Sequence, residues 1–139
     1  MKDIVIKINS DIRVVGEEPH LMEMTMPAKF YKKGAYLYIA YEETELTGMA
    51  GDKTVLKLSE DAVTMLRYGS NPSEMFFKEN ESYETDYTTP YGVIKMENTA
   101  SDVAIHVTDT GKGYLEVVYD LEISGISKSV NILRIEIIA

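Results

Sequence analysis

The chain has 139 residues, a length that suits one domain with its own hydrophobic core. It contains no cysteine, which excludes disulfides, thiolate metal sites and cysteine nucleophiles and is typical of a reducing cytoplasm. The formal net charge is −9, from fourteen Lys and Arg residues against twenty-three Asp and Glu residues. This charge argues against nucleic acid as a partner, because nucleic-acid binders usually carry a basic patch.

The N-terminal segment MKDIVIKINSD alternates apolar with polar residues, so it lacks the unbroken apolar stretch of a signal peptide. No window approaches the roughly 18 apolar residues of a membrane helix. We therefore expect a cytoplasmic protein that does not insert into a membrane.

Apolar residues recur with a period of two along most of the chain, which predicts half-buried strands. The first such groups are Ile4, Ile6 and Ile8; Met22, Met24, Met26, Ala28 and Phe30; and Leu37, Ile39 and Tyr41. The middle groups are Leu56 and Leu58; Val63 and Met65; Met75 and Phe77; and Tyr83, Thr85 and Tyr87. The last groups are Ile94 and Met96; Val103, Ile105 and Val107; Leu115, Val117 and Tyr119; and Leu133, Ile135 and Ile137. Pro27 lacks an N–H, so we expect it at an edge or a bulge.

Turn signals such as KKG, TGMAGD, SNPS and DTGKG separate these groups into ten or eleven short strands. Strands with one apolar face and short connections predict an all-β, antiparallel sandwich or barrel. The pattern alone leaves both architectures open. We expect one domain over residues 1–139.

Several segments occur in the order seen in the YwiB-like family of small bacterial proteins of unknown function. They are YEETELTG, KTVLKL, VTMLRYG, MFF, YTTPYGVIKMENT and LEVVYDLEISG. The chain resembles this family from about Ile4 to Ile137, although the family pattern usually has glycine where Asn80 stands. The resemblance implies a closed or nearly closed antiparallel β-barrel of about 8–10 strands, of the lipocalin-like (calycin-like) type. It implies a fold and no chemistry. A closed barrel agrees with the strand pattern because closure removes exposed sheet edges, and its interior would be just wide enough for side chains or one small ligand.

The segment DYTTPYG, residues 86–92, joins two groups of opposite parity. Tyr87 belongs to an odd-numbered inward set, whereas Ile94 belongs to an even-numbered one. A turn or bulge at Thr89–Gly92 would produce this switch. We favour a structural corner; the alternative is that Tyr87 and Tyr91 line a barrel mouth.

Polar residues on the inward parity, together with Tyr91, form the candidate ligand-binding set. The set is Tyr41, Glu43, Arg67, Tyr83, Tyr87, Tyr91 and Tyr119. A charge at Arg67 is costly inside a barrel unless it is paired. Either Arg67 and tyrosine hydroxyls bind the acidic head of a small amphiphile, or Glu43 already pairs with Arg67 and closes one end of the barrel. We favour the structural pair.

The remaining motifs have ordinary structural explanations. Six inward-parity methionines are expected to be core packing rather than a binding patch: Met22, Met24, Met26, Met65, Met75 and Met96. The DTG at 109–111 predicts a hairpin turn rather than a protease motif. His20 is expected in a loop and His106 facing solvent, which leaves no zinc-ligand pattern. We predict no catalytic residue, no metal site and no cofactor.

The sequence therefore predicts a non-catalytic binder of a small, partly apolar and acidic ligand inside the barrel. The alternative is a protein-interaction module with a side-chain-filled barrel, whose partner contacts the outside. In that case Tyr36 and Tyr38, on the outward face of their strand, would mark the interface, and a homodimer is one form of it. An enzyme ranks third, because fold alone does not license catalysis.

Overall fold

Ten strands form one sheet in the computed structural model, which describes residues 1–42, 51–69, 72–125 and 127–139, with only the backbone of 87–89. The strands are β1 (Lys2–Val14), β2 (His20–Lys33), β3 (Tyr36–Glu42), β4 (Lys53–Leu58), β5 (Ala62–Tyr68), β6 (Ser73–Lys78), β7 (Ser82–Thr89), β8 (Gly92–Val107), β9 (Gly113–Ile123) and β10 (Ser127–Ile137). Their order in the sheet is β6-β5-β4-β3-β2-β1-β10-β9-β8-β7, and all neighbouring strands are antiparallel.

The two ends of this sheet, β6 and β7, come together and make a nearly closed barrel. The first and last strands of the chain, β1 and β10, pair along most of their length on the opposite side. The predicted all-β antiparallel barrel is thus confirmed, with ten strands. Its assignment to the lipocalin-like (calycin-like) type stays a prediction.

The alternating apolar positions of the sequence are the buried positions of the barrel. One continuous core cluster takes side chains from β1 to β6 and from β8 to β10, and its members include Ile6, Ile39, Leu56, Phe77, Leu115 and Ile135. Four of the six predicted methionines belong to it, namely Met24, Met26, Met65 and Met75. Core packing is therefore the role that the structure assigns to these four methionines.

Strand β8 is longer than the sequence pattern predicts, because two predicted strands are one. The inward positions run through Ile94 and Met96 to Ala100, and then resume one residue out of phase at Val103. A β-bulge between Ala100 and Asp102 inserts the extra residue that changes the parity. A bulge and a strand break leave the same trace in a sequence.

The DYTTPYG segment is a tight hairpin between β7 and β8. Thr89 pairs with Gly92, so Pro90 and Tyr91 form a two-residue turn, and Gly92 has a φ of 125°. The side chain of Tyr91 is fully exposed at the tip. The structural corner is confirmed, and Tyr91 does not line a barrel mouth.

Pro27 marks the point where β2 and β3 separate. The N–H and C=O of Val5 form hydrogen bonds with the C-terminal residues Ala139 and Ile138. Val5 is therefore not hydrogen-bonded to its β2 partner Pro27, whose backbone groups point away from β1 and towards β3. Proline has no N–H to donate there. Pairing of described residues with β3 accordingly ends at Lys29–Ala40, as the predicted local edge requires.

The barrel closes at β6 through a side chain. Asn98 is 1% exposed, and its Nδ2 donates to the main-chain oxygen of Phe76 over 2.8 Å. Close by, the N–H of Asn80 donates to the oxygen of Ala100 over 2.8 Å. Asn80 has a φ of 64°, a left-handed backbone conformation that glycine adopts at lower cost than other residues.

The DTG residues close one end of the barrel as a turn between β8 and β9. The N–H of Gly111 donates to the oxygen of Thr108 over 3.0 Å, and Gly111 is buried against the ring of Phe30. The Asp109 carboxylate accepts from Lys32 over 2.8 Å on the outside. The predicted turn is confirmed, and His106 is exposed as predicted, while His20 is the first residue of β2 rather than part of a loop.

We expect Gly111→Ala to destabilise the protein by about 2 to 4 kcal/mol, the sum of left-handed backbone strain and overpacking. Gly111 has a φ of 82°, and a Cβ there would lie 2.8 Å from Cδ1 of Phe30. Gly34→Ala is the matched control, since Gly34 has a φ of 62° but open space around it. That variant should lose only about 1 kcal/mol from the backbone term. Urea unfolding of both variants measures the difference, and equal losses would contradict the contact with Phe30.

We expect Asn98→Leu to lower the free energy of unfolding by about 1 to 3 kcal/mol, because it leaves the Phe76 carbonyl at the seam without its donor. The control is Ser101→Ala, which removes an exposed 3.3 Å bond from Oγ of Ser101 to the oxygen of Val118. An exposed bond of this kind should change stability by less than about 0.5 kcal/mol. Urea unfolding provides the measurement, and a loss for Asn98→Leu no larger than that of the control would contradict a seam held by this amide.

Candidate functional site

Three inward side chains form a polar row across the wall of the barrel. Tyr41 pairs with Thr54 across β3 and β4, and Thr54 pairs with Arg67 across β4 and β5. Tyr41 is 6% exposed and Thr54 is fully buried. Arg67 is half-buried, and its Nε atom is enclosed by the protein. Tyr41 and Arg67 therefore take the inward positions that parity predicts, on one interior surface with Thr54 between them.

Tyr119 reaches this polar row from the opposite wall. Its ring packs on Phe77 with 4.5 Å between the ring centroids. Burial raises the pKa of the Tyr119 hydroxyl, and the positive charge of Arg67 acts in the opposite direction. The phenol therefore stays protonated at neutral pH and faces a cation. Such a pair can orient a hydrogen-bond acceptor.

The rest of the barrel interior is occupied by side chains. Phe77, Leu115 and Ile135 are fully buried members of a cluster that continues from wall to wall. Ten strands leave room for side chains or for one small ligand, and in the described part of the chain the apolar side chains take this room. Space for a ligand must therefore be sought in the wall.

A groove of about 850 Å³ opens in the wall where β2 and β3 separate at Pro27. Its lining is mainly apolar, with charged residues at the rim. It is formed by Met1, Asp3, Ile4, Val5, Met26, Pro27, Ala28, Lys29, Ala40, Tyr41, Glu42, Lys53 and Ala139. This volume lies within the ~300–1,000 Å³ of small-molecule sites. Tyr41 belongs both to this groove and to the polar row.

Tyr83 does not lie in the barrel interior. It shares a face with Asn98, as parity predicts, but its ring contacts Phe76 with 5.9 Å between centroids. Phe76 is on the outward face of β6, between the core residues Met75 and Phe77. Burial, and then the neighbouring carboxylate of Glu74, raises the pKa of Tyr83. Because β7 overlaps the outer side of β6, an inward position on β7 becomes a seam position, and the inward prediction for Tyr83 was wrong.

The structure thus brings together three of the seven candidate residues, Tyr41, Arg67 and Tyr119. Tyr83 lies at the seam and Tyr91 at an exposed hairpin tip. Glu43 lies outside the described residues, and only the backbone of Tyr87 is described. The proposed pairing of Glu43 with Arg67 stays a prediction.

Sequence reasoning missed several buried polar residues, although the alternation of each strand extends to them. Thr54 precedes Leu56 and Leu58 at the same parity, Asn98 follows Met96, and Asn131 precedes Leu133. Asn131 is 4% exposed, and its Nδ2 donates to Oγ of Ser129 over 2.9 Å. Extending each apolar series by one position would have found all three.

The outer surface has an uneven charge distribution. Glu84, Glu97 and Glu122 are direct neighbours across β7, β8 and β9. The hydrogen bond with Glu84, followed by desolvation and the charges of Glu84 and Glu122, raises the pKa of Glu97.

In the described part of the chain, no three His, Asp or Glu side chains converge in a way that could hold a metal ion. Within the same ranges, no helix has the length and apolar character of a membrane span.

Comparison with known proteins identifies the family. Residues 6–135 match the family model described as a domain of unknown function, DUF1934. The chain is 23% identical over 120 residues to an uncharacterised β-barrel protein, YwiB, of Bacillus subtilis (strain 168), covering 86% of this chain and 82% of that protein. The crystal structure of YwiB superposes with a TM-score of 0.80 at 21% identity, covering 99% of this chain and 92% of that one, which shows a shared fold. The resemblance drawn from the sequence is confirmed, and the chain belongs to the DUF1934 family of uncharacterised β-barrel proteins.

Proposed function

We propose that this protein is a non-catalytic binder of a small, partly apolar and acidic ligand, held in the groove between β2 and β3. The observation that carries the proposal is the groove itself, with a volume of about 850 Å³ at the only proline within β2. The site differs from the expected one in the barrel centre, where side chains form the continuous core. We place the protein in the cytoplasm, to which its cysteine-free composition is suited.

The inner side of the groove suits an apolar group. Ile4, Met26 and Ala28 reach it from the core, and Val5 lines it from the outward face of β1. Methionine adapts its shape to different apolar ligands more readily than branched side chains do. Because the β2–β3 ladder already ends at Lys29, a ligand here would displace no strand-to-strand hydrogen bond among the described residues.

The rim of the groove suits an acidic group. Lys29 and Lys53 stand on its two sides, on β2 and β4. Lys29 forms an ion pair with Asp3, and Lys53 is the cross-strand neighbour of Glu42. Both lysines are exposed, so a ligand carboxylate could exchange with these side-chain carboxylates at little desolvation cost. Tyr41 adds an apolar body with a polar tip.

A protein-interaction role is the second candidate. It is supported by the continuous core, since a barrel filled by its own side chains offers mainly its outside. It is supported further by Tyr36, which is 39% exposed on the outward face of β3.

We expect Val5→Trp to weaken binding of the anionic amphiphile 1-anilinonaphthalene-8-sulfonate by at least about tenfold, since the indole would occupy the groove. The matched control is Val93→Trp, because Val93 is 64% exposed on β8 and lines none of the groove. Fluorescence titration of both variants measures the two affinities, and thermal unfolding verifies that each variant is folded. Equal affinities for the two variants would contradict a ligand in the groove.

Native mass spectrometry of protein purified from its own host then tests for a natural ligand. We expect extra mass that leaves on denaturation, present in the wild type and in Val93→Trp and lost from Val5→Trp. A wild-type protein with no extra mass, and no measurable affinity for the dye, would instead favour the protein-interaction role.

A further inference from the structure

The outward face of β2 to β5 carries a cluster of four tyrosines and one lysine, here called the tyrosine face. It consists of Tyr31, Tyr36, Tyr38, Tyr68 and Lys57. Tyr31 and Tyr38 are direct cross-strand neighbours whose rings stack with 4.7 Å between centroids and 5° between planes. Lys57 is the neighbour of Tyr38 on β4, and its Nζ lies 4.0 Å from the centroid of the Tyr36 ring.

The centre of the tyrosine face is apolar. Ala40 and Val55 are direct neighbours on outward positions of β3 and β4, yet they are only 6% and 8% exposed. Tyr38 lies two residues before Ala40 on β3. Tyr68 on β5 is the cross-strand neighbour of Lys53, which lies two residues before Val55 on β4, so the two tyrosines lie on opposite sides of the pair. Burial raises the pKa of Tyr31, and the charges of Tyr38 and Tyr68 act in the same direction. The outside of the barrel thus has a small apolar cluster of its own.

Part of this cluster is accessible. Tyr68 is 53% exposed and Tyr36 is 39% exposed, and Lys33 is exposed beside Tyr36. Tyrosine is enriched at protein interfaces because it provides a large contact area with few rotatable bonds. Exposed tyrosines around a buried apolar centre are the arrangement expected of a docking site.

The charge around the tyrosine face is opposite to that of the protein. The outward positions of β2 from Lys29 to Lys33, of β3 and of β4 hold four lysines and one carboxylate: Lys29, Lys33, Lys53, Lys57 and Glu42. The chain as a whole has twenty-three acidic residues against fourteen basic ones. This face therefore attracts carboxylates, which the acidic row on β7 to β9 repels.

We propose that the tyrosine face docks a short acidic segment of a partner protein, whose carboxylates meet Lys33 and Lys57 and whose apolar side chains pack on Tyr36 and Tyr68. The net charge favours a short segment, because a long polyanion such as nucleic acid would extend past four lysines onto a surface rich in carboxylates. The same argument disfavours an anionic membrane surface. The four residues proposed to contact the segment line none of the groove, whereas Lys29, Ala40, Glu42 and Lys53 border both sites.

The test is selection of twelve-residue peptides from a random phage-displayed library on the wild-type protein, followed by anisotropy titration of fluorescein-labelled winners. We expect the winners to be rich in Asp and Glu and to bind the double variant Tyr36→Ser, Lys57→Glu at least about tenfold more weakly, as lost interface contacts and a reversed charge require. The matched control is Tyr91→Ser, Lys95→Glu, which makes the same changes at exposed positions of the β7–β8 hairpin and should bind as the wild type does. Winners without acidic residues, or equal binding by both double variants, would overturn the proposal.

Three further measurements distinguish an acidic peptide from other occupants of the tyrosine face. Val5→Trp should bind the peptides as tightly as the wild type does, because the indole fills only the groove. Weaker peptide binding by this variant would place the peptides in the groove and overturn the proposal. Tighter binding of oligodeoxythymidine or of phosphatidylserine vesicles than of the peptides, abolished by Tyr36→Ser, Lys57→Glu, would also overturn the proposal. So would a wild-type dimer that this variant converts to monomer in sedimentation velocity, since the occupant would then be a second copy.

Discussion

A proline supplies no N–H, and in β2 this one missing donor decides where the wall of the barrel opens. Beyond Lys29, the next residue of β2 whose backbone points towards β3 is Pro27. Because proline has no N–H, it cannot donate a hydrogen bond to β3. The strands separate there, and the core side chains of Met26 and Ala28 become part of a groove in the wall. Both the access to Tyr41 and the shape of the proposed ligand site follow from this local loss of pairing.

The opposite side of the barrel depends on another departure from regular pairing. A ten-stranded sheet has two edges, and β6 and β7 meet with β7 overlapping the outside of β6. Asn98 completes the closure by donating to a main-chain oxygen that a neighbouring strand would otherwise serve. The overlap covers an exposed edge, which is a known aggregation hazard, without requiring a fully hydrogen-bonded cylinder.

Features that depend on one strand at a time were predictable, and those that depend on contacts between strands were not. Parity predicted the buried alternation, the turn at Thr89–Gly92, and inward positions for Tyr41 and Arg67. Parity failed for Tyr83, because the overlap of β7 on β6 is a property of the closed sheet. The bulge after Ala100 was taken for a strand break for the same reason, since only the partner strand β9 shows that pairing continues. The groove was hidden because its walls come from residues far apart in sequence.

Strand β3 shows why the outside of this barrel is more informative than its inside. Its odd positions, Leu37, Ile39 and Tyr41, face the core, as in any strand of a barrel. Of its even positions, Tyr36, Tyr38 and Ala40 are apolar or aromatic as well and only the terminal Glu42 is charged, whereas a strand with one solvated face usually alternates with polar residues. Apolar character on both faces is typical of strands that are covered on both sides. The core covers one face of β3, and the tyrosine face is the other, where the excess of lysine favours an acidic partner.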